Sequence, residues 1–137
     1  MNTVRSLILD ANILVRGVPG RRVRELVGRY AQNVGLFVPD VAYAEARIHV
    51  PELVAKRGNS ADEALATLED LVDGIAVLAD EEYRQFEHQA LARIGQRDPR
   101  DWPVLAAALA LGSPIWTEDQ YFFGPRRLLE RHDLVIH

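Results

Sequence analysis

Apolar positions along this chain follow two patterns, one in short continuous runs and one spaced by three and four. Residues 4–9 (VRSLIL) end in a nearly continuous apolar run, as expected of a strand buried on both faces of a parallel sheet. Val23, Leu26, Val27, Tyr30 and Ala31 then recur at the spacing of an amphipathic helix over 22–31. Leu36, Phe37 and Val38 form a second short strand closed by Pro39. Asp40 is the expected N-cap of the next helix, which Pro51 should kink or split. Ser60 to Glu63 reads as a capping box ahead of a helix with the apolar stripe Leu65, Leu68, Leu71 and Val72. A third strand falls at 75–78. Asp80 should cap a helix bearing Tyr83, Phe86, Ala90, Leu91 and Ile94, stopped at Gly95.

The stretch 104–111 (VLAAALAL) has no polar side, so it predicts a deeply buried helix, with Pro103 in its first turn and Gly112 just past its end. Strands at 114–117 and 134–136 complete the pattern. Strands alternating with helices predict a three-layer α/β/α sandwich around a parallel sheet of four to five strands. No repeat or linker interrupts the chain, and 137 residues suit one domain over 1–137.

Composition narrows the chemistry. With 48% hydrophobic and 26% charged residues the chain can bury a core. It has no cysteine, which removes disulfides, thiolate zinc sites and cysteine nucleophiles. No apolar run nears the roughly 20 residues of a membrane span, and no leader opens the chain, so a soluble cytoplasmic protein with no membrane partner is expected. The formal net charge of −4 hides a division. Between Asp62 and Glu87 many acidic side chains face Arg84 alone, whereas Arg16, Arg21, Arg22, Arg24 and Arg29 surround a lone Glu25. Arginine forks suit phosphate oxygens, so Arg16, Arg21 and Arg22 are candidates for a nucleic-acid face despite the acidic total.

Ligands of open parallel sheets bind beyond the carboxyl ends of the strands, where strand order reverses. Asp10 ends the first strand and Asp119 follows the fourth. Either alone reads equally as a helix cap or turn residue. Glu45 shares a helical face with Val41 and Ile48, positions expected to point inward, where a carboxylate needs an arginine partner or a cation. Asp101 opens the all-apolar helix, as an N-cap or as a further acid at the rim, and Asp98 lies one turn earlier. His49, His88, His132 and His137 are scattered and pair with none of these acids at metal-ligand spacing. There is no nucleophile elbow and no glycine-rich phosphate loop. What remains is an all-oxygen cluster, which suits a hard divalent ion such as Mg²⁺ or Mn²⁺ rather than zinc.

Four segments in order, Leu9-Asp10-Ala11-Asn12, Val38-Pro39-Asp40-Val41-Ala42-Tyr43-Ala44-Glu45, Asp98-Pro99-Arg100-Asp101-Trp102-Pro103 and Ile115-Trp116-Thr117-Glu118-Asp119, give the chain its resemblance to the PIN-domain nucleases. Among these it resembles the VapC-like toxins of toxin–antitoxin pairs. The resemblance implies a metal-dependent ribonuclease using one or two Mg²⁺ or Mn²⁺ ions, with Asp10, Glu45, Asp101 and Asp119 as catalytic and metal-holding acids. Asn12, Thr117 and Asp98 would be supporting residues. Of the neighbouring pairs, Asp101 is preferred to Asp98 because it heads the buried helix, and Asp119 to Glu118. An RNA substrate, an antitoxin protein and a homodimer are the implied partners. The rival is a non-catalytic PIN module that binds RNA or a protein; its hallmark would be a missing carboxylate.

Overall fold

The computed structural model describes residues 6–94 and 98–116. Strand β1 (Ser6–Leu9) is made of Leu7, Ile8 and Leu9, none of which has any exposed surface. Burial of one such side chain is worth ~1.5–3 kcal/mol, so this run belongs in the middle of the sheet. It pairs in parallel with β2 (Gly35–Pro39) on one side, Ser6 opposite Gly35 and Ile8 opposite Phe37. Strand β3 (Ala76–Leu78) adds to the far edge of β2, and β4 (Ile115–Trp116) lies on the other side of β1, Ile8 opposite Ile115. The order is β3-β2-β1-β4, all parallel. The chain steps outward from β1 to β3 and then returns beyond β1, so the order reverses between β1 and β4.

Helices α1 (Ala11–Gly17), α2 (Arg21–Ala31), α3 (Asp40–Lys56) and α4 (Ala61–Val72) pack on one another. On the opposite side α5 (Glu87–Ile94) packs on α6 (Trp102–Leu111), which lies against β1 and β2. The result is the expected α/β/α sandwich. Residues Pro103, Val104, Leu105, Ala106, Ala107 and Ala108 of α6 are buried between the sheet and α5, but the expected burial does not reach the last turn, where Leu111 is 42% exposed. Gly112 ends it at φ 62°, a left-handed cap that glycine adopts without strain.

Several local expectations are corrected. Helix α1 has no counterpart in the sequence pattern, because seven residues are too few for a period to show. Asp40 is the first residue of α3 and Pro39 its N-cap; the Asp40 carboxylate still accepts the Val41 amide, at 2.8 Å. Pro51 does not split α3, which runs through it with Val50 and Val54 buried on either side. Asp80 opens a short 3₁₀ turn (Asp80–Glu82), followed by a second (Arg84–Phe86) before α5, instead of capping one long helix. Its carboxylate is taken by Arg84 Nε at 2.7 Å, and the cap is supplied by Glu82, which accepts the Ala79 amide at 2.9 Å. Ser60 caps α4 as expected, accepting the Glu63 amide at 3.2 Å. Gly95 and the strand at 134–136 lie outside the described residues. Among the described residues no helix is long and apolar enough to cross a membrane.

Candidate active site

The turn from β1 into α1 fixes the first acid. Asp10 is only 7% exposed, and its Oδ1 accepts the Ile13 amide at 3.0 Å as the N-cap of α1. The two readings of this residue therefore hold together: it caps a helix, and it stands at the carboxyl end of the central strand. The Ile13 amide gives this buried side-chain oxygen a partner in place of the water it has lost.

Asp10, Asn12, Glu45 and Asp101 line one cleft of about 40 Å³, with Val41, Ala42 and Val104 among its apolar walls. One water needs roughly 10–15 Å³ of such space, so the cleft can take an ion with a water or a phosphoryl oxygen. Asp101 ends a 3₁₀ turn (Pro99–Asp101) and occupies the N-cap position of α6 without making a capping hydrogen bond. Asp98 is not on the cleft wall. It caps the 3₁₀ turn through the Arg100 amide at 2.9 Å and pairs with the Arg100 guanidinium, which holds its carboxyl below the usual carboxylate range. Thr117, Glu118 and Asp119 lie outside the described residues.

Glu45 reaches this cleft by a route opposite to the one expected. Val41 and Ile48 are 47% and 61% exposed, and the face of α3 that packs inward carries Ala42, Ala46, Val50 and Val54. Small alanines let α3 approach its neighbours closely, so they win the buried face over the larger Val41 and Ile48. Glu45 thus stands at the solvent side of the cleft, with its side chain 55% exposed. Its carboxylate has two neighbours: Glu45 Oε2 lies 3.9 Å from His49 Nε2, whose Nδ1 lies 3.6 Å from Glu52, and the Arg100 guanidinium stands near enough to interact with its charge. Sequence reasoning also passed over Arg100, the cation of the cleft wall. The signal was its place between two acids in Asp98-Pro99-Arg100-Asp101.

The donors are hard oxygens, the set that Mg²⁺ or Mn²⁺ takes, so the residue types fit such an ion. Among the described residues no three acidic or histidine side chains stand close enough to form a complete ion site. Arg16, Arg21 and Arg22 are exposed at the end of α1 and the start of α2, away from the cleft wall. Arg24 is spent internally: its Nη1 donates to the Gly17 carbonyl at 3.3 Å and to the Val18 carbonyl.

The sequence pattern of the PIN domain matches residues 8–128. The chain belongs to the PIN-domain family. That family consists generally of nucleases, and its pattern spans all three acids of the cleft. The fold agrees. A crystal structure of VapBC2 from Rickettsia felis, bound to a DNA fragment from their promoter, superposes with a TM-score of 0.68 over 96% of this chain and 97% of that one, at 14% identity. No curated protein sequence matches.

Proposed function

We propose that this PIN domain is a divalent-cation-dependent ribonuclease, with Asp10, Glu45, Asp101 and Asp119 as its acidic set and Asn12 and Thr117 as polar support. The observation that carries this reading is that Asp10, Glu45 and Asp101, from three separate segments, line one cleft at the carboxyl end of the central strand. When bound there, Mg²⁺ or Mn²⁺ supplies charge neutralisation at the phosphate and a more acidic attacking water. The chain's own contribution is placement. The Ile13 amide fixes the Asp10 rotamer. The Asn12 amide offers donors to a phosphoryl oxygen. Glu45, at the solvent side, gives entering water a proton acceptor.

Arg16, Arg21 and Arg22 belong to the same reading as an RNA backbone track. At 1.5 Å per residue, α1 puts Arg16 roughly 9 Å along its axis from Asp10. The fold shared with VapBC2 supports the toxin role, with an antitoxin and a second copy of this chain as partners. A small DNA-binding protein encoded directly upstream would support that role, and its absence would count against it.

The test is cleavage of single-stranded RNA with Mg²⁺ or Mn²⁺. Wild type should cut and EDTA should stop it. Asp10→Asn should abolish cutting while keeping the fold, because asparagine caps helices about as well as aspartate. Arg21→Glu with Arg22→Glu should weaken RNA binding and flatten its salt dependence. Cleavage indifferent to EDTA and to Asp10→Asn would overturn the metal mechanism. RNA binding without any cleavage would leave a non-catalytic module.

A further inference from the structure

Among the described ion pairs Arg100 is the most exposed member, with 89% of its side chain open to solvent, yet it is held in place. Asp98 accepts from its Nε at 3.1 Å on both carboxylate oxygens and from its Nη2 at 2.7 Å. Asp98 is fixed in turn by the Arg100 amide at 2.9 Å, and Pro99 between them has its φ locked by its ring. A pair this exposed contributes little to stability, so stability does not account for the arrangement. A guanidinium carries five N–H donors. Asp98 occupies the Nε–Nη2 edge, and among the described residues Nη1 makes no hydrogen bond. The same side chain is the cation on a wall it shares with Asp10, Asn12, Glu45 and Asp101.

An acidic cleft repels the polyanion it is meant to cut. Resting on the reading of the cleft as a phosphodiester site, we propose that Arg100 is its phosphate-binding residue, gripping non-bridging oxygens of an RNA phosphate through Nη1, and that Asp98 is the positioning residue that aims it. Pre-aiming matters because a long arginine otherwise loses rotamer freedom on binding, at the expense of affinity.

The experiment is binding of a fluorescein-labelled 12-nucleotide single-stranded RNA by anisotropy, in EDTA so that nothing is cut, across a salt series. Arg100→Ala should bind about tenfold more weakly, and the slope of log affinity against log salt should fall by about 0.7, the value for one phosphate contact on a single strand. Arg100→Lys should keep the slope but recover only part of the affinity, since an ammonium is a point charge and not a fork. Asp98→Asn is the diagnostic variant. It removes a negative charge, so simple electrostatics would tighten RNA binding, whereas loss of aim should weaken it about threefold at unchanged slope. Melting curves confirm that each variant is folded. Arg100→Ala binding within twofold of wild type at the same slope overturns the proposal, and tighter binding by Asp98→Asn overturns the positioning role. Should the wild type cut RNA while Arg100→Ala binds normally, this inference falls and the nuclease reading stands. Should Arg100→Ala lose affinity and slope in a protein that never cuts, the nuclease reading falls and this inference stands.

Discussion

Tyr83 has no exposed surface, and its hydroxyl donates to the carboxylate of Asp40 at the start of α3. Its ring also sits 5.7 Å from that of Trp102, the first residue of α6. One side chain thus ties the helix carrying Glu45 to the helix that begins beside Asp101. Burial pushes the Tyr83 phenol well above its usual value, and the bond to Asp40 pushes it further. A group with a raised folded pKa adds stability that is whole below the unfolded value of about 10 and drains away as pH climbs past it. Tyr83→Phe should therefore cost about 1.5–3 kcal/mol in denaturant titrations at neutral pH, the worth of a hydrogen bond to a charged group. It should also lose less stability than wild type between pH 10 and 12. A Tyr83→Phe protein as stable as wild type, with the same alkaline limb, would remove the tie. Tyr83 reads in the sequence as one member of an apolar stripe, because the hydroxyl's partner is 43 residues away along the chain.

The three carboxylates of the cleft sit at or near the starts of α1, α3 and α6. Like charges on one cleft oppose the packing of these helices, and under the proposed function a divalent ion bound there, with Asp119 as a further ligand, would offset the effect. Divalent ion should therefore raise the melting temperature. At 100-fold over Kd the linkage is worth about 2.7 kcal/mol, which for a domain of this size corresponds to about 5–10 °C. Asp10→Asn and Asp101→Asn should each shrink the shift, and calorimetry with and without MgCl₂ or MnCl₂ measures it. An equal shift in all three proteins would place ion binding elsewhere.

At the scale of the whole molecule, the core consumes most of the apolar surface that the stripes of 65–72 and 83–94 could have offered to a partner. Leu68, Leu71, Val72, Tyr83 and Ile94 are buried, and of that set Leu91, at 37%, is the large side chain left exposed. The most exposed large apolar side chains lie instead on α3, at Val41 and Ile48, one turn to either side of Glu45, with Val77 and Leu111 exposed elsewhere. If a second copy of this chain is the partner, Ile48, which does not line the cleft, is where it should sit. Light scattering at tens of micromolar should return a dimer for the wild type and a monomer for Ile48→Glu, with no loss of melting temperature. A monomeric wild type would defeat the homodimer.

What the sequence by itself determined was local. The run Leu7-Ile8-Leu9, the unbroken apolar stretch ahead of Gly112 and the Ser60 cap each contain their own physics within a few residues, and each appears where expected. Asp10 and Asp101 were legible for the same reason, since each stands at the boundary between one element and the next. Tertiary structure decided the rest. Apolar residues fall nearly all around α3, so its periodicity could not choose between the Val41/Ile48 face and the Ala42/Ala46 face; close packing against neighbouring helices chose the smaller side chains. That choice turned Glu45 to the solvent side of the cleft instead of the core. Likewise, Asp98-Pro99-Arg100-Asp101 favours Asp101 as the cleft acid only through the buried helix that follows it. The turn decides it, because Asp98 closes on the Arg100 amide and guanidinium while Asp101 starts a helix already committed to the core by its apolar residues.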